Sequence, residues 1–170
     1  MYVAFYDYAM SICFKYANDK DDAVEIINDG FLKIFREIYN YKPLSEDLAF
    51  GFTSWFRRIM INTSIDHYRK NKHNNIFKDL GEEQENTTAA AEQDVLANLS
   101  YSELLKVIQE LSPAYRMVFN LYAIEGMTHK EVGEHLNISE GTSKSNFAKA
   151  RAFLQNKLLQ KSTKKEINAW

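Results

Sequence analysis

The stretch THKEVGEHLNISEGTSKSNFAKAR, residues 128–151, decides the fold class. Thr128 and Glu131 have capping-box spacing, in which a threonine hydroxyl and a glutamate carboxylate satisfy backbone N–H groups at a helix start. The spacing predicts a short helix that opens here and closes at Leu136. Asn137-Ile138 then makes a tight turn, and Ser139 is placed to cap a second helix with Phe147, Ala150, Leu154 and Leu158 on one face. Two helices across so short a turn, the second flanked by basic residues, read as a helix-turn-helix. Its apolar stripe packs inward and leaves Lys144, Ser145, Ala148, Lys149 and Ala152 on or near the outward face. Residues early in such a helix reach base edges, and later cations hold phosphates. An ordinary helical hairpin with a solvated face is the alternative reading.

Upstream of this motif, Leu104, Ile108 and Leu111 form a short apolar stripe. Ser112 then caps a further helix with Pro113 at its first position, where a missing N–H does no harm. That helix is expected to end at Gly126, which tolerates the left-handed conformation beyond a helix C-terminus. Between Asp79 and Glu103 there are seven acidic residues and no basic one, and the stretch reads as a flexible acidic tether. The domain boundary is placed there: residues 1–74, a linker over 75–100, and residues 101–170.

Helical periodicity governs the N-terminal part as well. Tyr2, Phe5, Tyr6, Ala9, Ile12, Cys13 and Tyr16 make one face of an amphipathic helix. After a polar break at 18–21, Asp22 and Glu25 have capping-box spacing, and Ala23, Ile26, Ile27, Phe31, Ile34, Phe35 and Ile38 continue the pattern to about Tyr39. The opposite face carries Glu25, Asn28, Asp29 and Arg36. Gly30, inside this helix, is expected to weaken it by about 1 kcal/mol relative to Ala. A third helix is expected over roughly Thr53 to Lys72, with Trp55, Phe56, Ile59 and Ile65 apolar. The fold class is thus all-α, with two small helical domains joined by an acidic linker.

Composition narrows the function. The chain has 170 residues, 45% hydrophobic and 26% charged, with two prolines and six glycines, which suits long helices in a globular protein. Its single cysteine, Cys13, excludes an intramolecular disulfide and fits a reducing compartment. No apolar run is long enough to span a bilayer and no export signal opens the sequence, so a cytoplasmic protein without membrane insertion is expected. The net charge of −2 conceals segregation: Trp55–Lys78 has six Lys/Arg against one acidic residue, and Glu140–Glu166 has seven against two. The first cluster includes Arg57, Arg58, Arg69, Lys70 and Lys72, near Phe50, Phe52, Trp55, Phe56 and Tyr68. Cations beside aromatic platforms suit single-stranded nucleic acid. Core packing for Trp55 and Phe56, and a solvated helix end for the cations, are the alternatives. There is no phosphate-binding glycine loop, nucleophile elbow or Cys/His cluster with metal spacing, so neither enzyme activity nor a metal or cofactor is expected. His67, His73, His129 and His135 read as surface or capping residues, and Cys13 as a small core residue.

Three segments together resemble the extracytoplasmic-function group of bacterial RNA polymerase sigma factors. Residues 22–35 (DAVEIINDGFLKIF) look like the family helix that docks on the clamp helices of the polymerase β′ subunit. Residues 55–70 (WFRRIMINTSIDHYRK) look like the helix that opens and reads the minus-ten element, and 111–151 like the domain that reads the minus-35 element. The resemblance implies polymerase contacts at Asp22, Glu25, Asn28, Asp29, Lys33 and Arg36. It implies minus-ten contacts at Phe50, Phe52, Arg58, Asn62, Asp66, Arg69, Lys70 and Lys72, with Asn62 near the pocket for a flipped base. The loop from Lys42 to Phe52 would help select that base, whose extrusion costs a few kcal/mol of stacking. Minus-35 contacts are implied at Thr142, Lys144, Ser145, Lys149 and Arg151. The partners implied are core RNA polymerase, through its β′ clamp helices and β flap, duplex and melted promoter DNA, and an anti-sigma factor or other recruiting protein. The acidic linker would thread the polymerase cleft, or serve only as a tether.

The chain departs from the family pattern at three positions. Ile61 stands where relatives carry a basic residue, Met60 where a small one is usual, and Ser143 where an aliphatic one is common. A missing phosphate contact and looser packing of the recognition helix are the expected consequences. The sequence also starts almost inside its first helix, so a few leading residues are expected before it. A helix-turn-helix regulator without sigma activity is the main rival reading. A response regulator would instead show alternating strands in its N-terminal half. An adaptor that only keeps the scaffold would not depend on the basic segments.

Overall fold

The computed structural model describes residues 1–42, 47–75 and 101–167. Nearly all of the expected linker and the middle of the loop from Lys42 to Phe52 lie outside the described residues. The chain divides into two compact units, residues 1–80 and 81–170. Among the described residues every regular element is helical.

The first unit contains α1 (Tyr2–Cys13), α2 (Lys20–Glu37), a 3-10 turn (Ile38–Asn40) and α3 (Leu48–Asn75). α2 starts earlier than its apolar stripe predicts. Its cap is Asp19, whose carboxylate accepts the Asp22 N–H at 2.8 Å. The capping box expected at Asp22 and Glu25 is therefore not formed. Asp22 instead sits in the first turn and accepts from the backbone and side-chain N–H groups of Asn18 at 2.7 and 3.0 Å. α3 likewise begins at Leu48 rather than Thr53, because the Asp47 carboxylate takes the N–H groups of Ala49 and Phe50, each at 3.0 Å.

Phe31, Phe56, Ile12, Ile26, Ile27, Ile34, Met60 and Ile65 are the large side chains fully enclosed in this unit. The Phe56 ring lies 5.2, 5.7 and 5.6 Å from the rings of Phe5, Tyr8 and Phe31, which ties all three helices together. Burial of each such side chain contributes roughly 1.5–3 kcal/mol. Gly30 has a positive use that offsets its low helix propensity. A Cβ there would stand 2.5 Å from Met60 Sδ, so the bare backbone of α2 lets Met60 of α3 pack directly on it.

The second unit contains α4 (Tyr101–Gln109), α5 (Pro113–Phe119), α6 (His129–Leu136) and α7 (Glu140–Ile167). α5 does not continue as an α-helix to Gly126 but widens at Asn120–Ile124 into a π turn. Gly126 follows with φ +74°, the left-handed conformation expected of it. Ser112 precedes α5 without a side-chain cap bond, so Pro113 alone marks that start. Val107, Ile108 and Leu111 pack with Ala150, Leu154 and Leu158 of α7 in one core cluster.

Candidate functional site

The α6–α7 pair is built by short-range chemistry. Thr128 Oγ1 accepts the Glu131 N–H at 3.2 Å, and the Glu131 carboxylate accepts the Thr128 N–H at 2.7 Å, completing the capping box. These bonds hold the Glu131 carboxyl below its ordinary titration range. Asn137 ends α6 in the left-handed conformation, φ 52° and ψ 51°. Ser139 Oγ then accepts the Thr142 N–H at 3.0 Å and starts α7. The reversal is tight: a Cβ on Gly133 would lie 2.8 Å from the Ile138 carbonyl oxygen.

This arrangement exposes Thr142, Lys144, Ser145, Lys149 and Arg151 along α7, with Ala150 and Leu154 buried behind them. Lys144 pairs with Glu140 at 2.7 Å, which lowers the titration range of that carboxyl, so a phosphate would have to displace the carboxylate. Ser143 does not loosen the packing as expected. It is wholly buried, and its hydroxyl lies 3.0 Å from Nδ1 of His129. The His129 ring in turn lies flat on Tyr122, with centroids 4.0 Å apart and planes within 9°. His129, expected as a surface or capping residue, is half-buried in this cluster, and Tyr122 escaped the sequence reading because the contact crosses three separate elements.

In the first unit the middle of α3 is buried around much of its circumference. Ile59, Met60, Ile61, Thr63, Ser64, Ile65 and His67 all face protein, and the two hydroxyls donate back to the carbonyls of Ile59 and Met60 at 2.8 and 2.9 Å. The exposed residues of α3 include a ridge at helical spacing of four, Arg58, Asn62, Asp66 and Lys70, with Ser54 one step before it, half-exposed Arg69 beside Asp66 and exposed Lys72 beyond. Phe50, 65% exposed, projects at the start of α3, whereas Phe52 is half-buried against Phe5, Tyr41 and Trp55. Phe50 is thus free to stack, while Phe52 supports its neighbours.

α2 turns Glu25, Asn28, Asp29 and Arg36 outward, with exposed Leu32 and Phe35 among them. Asp22 and Lys33 point toward α3. Lys33 donates to Asp66 at 2.9 Å, joining the outward face of α2 to the α3 ridge. Asp22 bonds to Nε2 of His67, which Asn71 also meets at 2.8 Å, with Glu25 4.0 Å from Nδ1. His67 is therefore a buried interhelical strut, not the surface or capping residue expected. With Asp22 and Glu25 it has ligand atoms within 4.8 Å of one another, but the bonds already made account for the geometry as a hydrogen-bond network. Cys13 is buried beside Met60, and burial pushes its thiol up to about 12.

Two family models match the chain, Sigma-70 region 2 over residues 1–74 and Sigma-70 region 4 over residues 101–154. Curated relatives include the extracytoplasmic-function sigma factors SigE of Mycolicibacterium smegmatis, 24% identical over 92% of this chain and 60% of its own length, and SigW of Bacillus subtilis, 26% identical over 89% and 83%. The chain belongs to the extracytoplasmic-function sigma factors. A solved structure with the same fold is the sigma factor RpoE of Bartonella quintana in complex with the anti-sigma factor NepR, with a TM-score of 0.51 and 19% identity over 94% of each chain.

For a sigma factor the placement of the two matches is informative. Region 2 covers the unit that holds the α2 face and the α3 ridge, and region 4 covers α4, α5, α6 and the first half of α7. The residues between the matches are those of the acidic stretch. No described helix is long and apolar enough to cross a membrane.

Proposed function

We propose that this sigma factor directs promoter-specific transcription initiation as a non-enzymatic, cytoplasmic subunit of RNA polymerase. The observation that carries this reading is the pairing of an exposed polar ridge on a core helix, α3, with a helix-turn-helix in the other unit. The exposed stripe of Arg58, Asn62, Asp66 and Lys70 can meet a ligand while Phe56, Ile59, Met60, Thr63 and Ser64 keep α3 in the core.

In this mechanism residues 1–74 dock on the β′ clamp through Glu25, Asn28, Asp29 and Arg36, while Asp22 and Lys33 hold α2 in place against α3. Phe50 and Asn62 receive an extruded base of the minus-ten element, and Arg58, Arg69, Lys70 and Lys72 neutralise adjacent phosphates. Residues 101–170 seat α7 in the major groove of the minus-35 element, where Ser145 and Lys144 meet base edges and Lys149 and Arg151 meet phosphates. Residues 75–100 link the two. RpoE of Bartonella quintana forms a complex with the anti-sigma factor NepR. An anti-sigma factor that covers the corresponding surfaces here would hold this protein inactive.

Co-elution with core RNA polymerase tests the proposal. Wild type is expected to bind, and the double variant Glu25→Ala, Asp29→Arg to elute alone while keeping its helical circular dichroism. Folded wild type that never associates with core polymerase would overturn the sigma reading and leave a DNA-binding regulator.

A further inference from the structure

The contact between His129 and Ser143 bears on how the recognition helix meets DNA. Ser143 is the one wholly buried polar side chain among the described residues of α7, and its hydroxyl meets Nδ1 of His129 at 3.0 Å. His129 is fixed in two further ways. Its backbone is set by the capping box at Thr128, and its ring is clamped between the face of Tyr122 at 4.0 Å and the edge of Phe147 at 5.8 Å. The ring therefore has one orientation. With Nδ1 engaged by Ser143, Nε2 has no hydrogen-bond partner among the described residues. The Glu140 carboxylate, paired with Lys144, also lies within electrostatic reach of His129 and Lys130, so these groups gather at the edge where α6 and α7 both begin. That edge borders the α7 face assigned above to DNA.

The geometry points to His129 as a further DNA contact, its Nε2–H donating to a backbone phosphate, with Ser143 as the positioning residue that donates to Nδ1 and so selects the tautomer. The inference rests on the reading of α7 as the minus-35 helix. The physical logic is that of any oriented imidazole: the hydrogen bond made by one ring nitrogen decides which proton the other presents. A donor held rigidly by stacking loses little rotamer entropy on meeting a phosphate, so the contact is worth more than one from a free surface side chain. The one buried polar side chain among the described residues of α7 thus becomes the residue that aims a donor.

Two measurements on the full-length chain test the inference. Nitrogen-15 NMR of the histidine rings is expected to show the Nε2–H tautomer for His129 in wild type, and a mixed population in Ser143→Ala. Anisotropy with a mixed-sequence 25-base-pair duplex at low salt, a probe that reads phosphate contacts regardless of promoter, is expected to show roughly tenfold weaker binding for His129→Phe, which keeps the stack on Tyr122. Ser143→Ala is expected to lose several-fold in the wild-type background and nothing further in the His129→Phe background, because it acts through His129. Losses that add, an Nδ1–H tautomer, or unchanged binding by His129→Phe would each overturn it. Arg151→Ala separates the two failures. If that variant weakens binding while His129→Phe does not, only this inference falls; if wild type has no affinity for the duplex, the reading of α7 falls with it.

Discussion

Gly133→Ala sets two effects of opposite sign against each other, and the structure says which prevails. Gly133 lies inside α6, where replacing glycine with alanine ordinarily stabilises a helix by up to about 1 kcal/mol. Here the new Cβ would stand 2.8 Å from the Ile138 carbonyl oxygen, with Glu140 N at 3.5 Å and the Ser139 carbonyl carbon at 3.6 Å. All three atoms are backbone, and all lie in the turn that aims α7. None can rotate away as a side-chain end would, so the turn itself must retreat by a few tenths of an ångström. Overpacking of this kind costs about 1–3 kcal/mol, more than the propensity gain. The net expectation is a loss of roughly 1 kcal/mol, which lowers the melting temperature of a unit this size by about 4–8 °C. Calorimetry resolving the transition of the second unit would measure it, with duplex binding as a companion readout. Gly30→Ala is the informative comparison. Its Cβ meets the end of the Met60 side chain, so it should come out closer to neutral. A Gly133→Ala protein that melts at or above the wild-type temperature would refute the claim that backbone contact at the turn outweighs helix propensity.

Three further outcomes are expected. Cys13, its thiol pushed up to about 12 by burial, should resist iodoacetamide at pH 8 in the native protein and react at the rate of a free thiol only in denaturant; rapid native alkylation would contradict the burial. The Glu131 carboxyl is held below its ordinary range when folded, so its support for α6 is present above the unfolded carboxylate pKa. That support fades as pH falls through the lowered folded value; amide protection at the start of α6 should follow this course in wild type, and Glu131→Gln should abolish the dependence. His67→Ala should cost the first unit about 1–3 kcal/mol in urea unfolding, because it strips a buried partner from Asp22 and Asn71; a change within error would mean that the strut carries no weight.

What was legible in the sequence was what is made locally. The capping box at Thr128, the turn at Asn137 and the cap at Ser139 each involve residues within four positions of one another, and the helix-turn-helix follows from them. The outward polar face of α2 was legible for the same reason, since a buried stripe leaves a period of 3.6, although Phe35, expected on that stripe, is exposed. α3 was harder. With its middle buried around much of the circumference, its buried positions include Thr63, Ser64 and His67, which no hydrophobic pattern marks as interior. Its polar stripe of Arg58, Asn62, Asp66 and Lys70 carries the stronger periodicity, and a reading that searched for exposed rather than buried spacing would have found it. The start of α2 misled because Asp19, Asp21 and Asp22 can each cap a helix, and only the folded chain shows Asp19 doing so.

The remaining contacts join residues far apart in sequence: Asp22 with His67, Lys33 with Asp66, and His129 with Ser143. Each places a polar side chain of one helix against the helix that carries the proposed ligand contacts. Two of these pairs, Asp22–His67 and His129–Ser143, have a buried member that removal of its partner would leave unsatisfied, whereas Lys33–Asp66 lies largely exposed. A fixed orientation is the property the proposed reading of DNA by two small helical units requires. Hydrophobic packing holds α2 on α3 and α6 on α7 but tolerates small rotations, whereas a hydrogen bond of 3.0 Å between Ser143 and His129 does not. The buried polar residues that broke the hydrophobic pattern, His67 and Ser143, are therefore the ones that hold α3 against α2 in the first unit and α7 against α6 in the second.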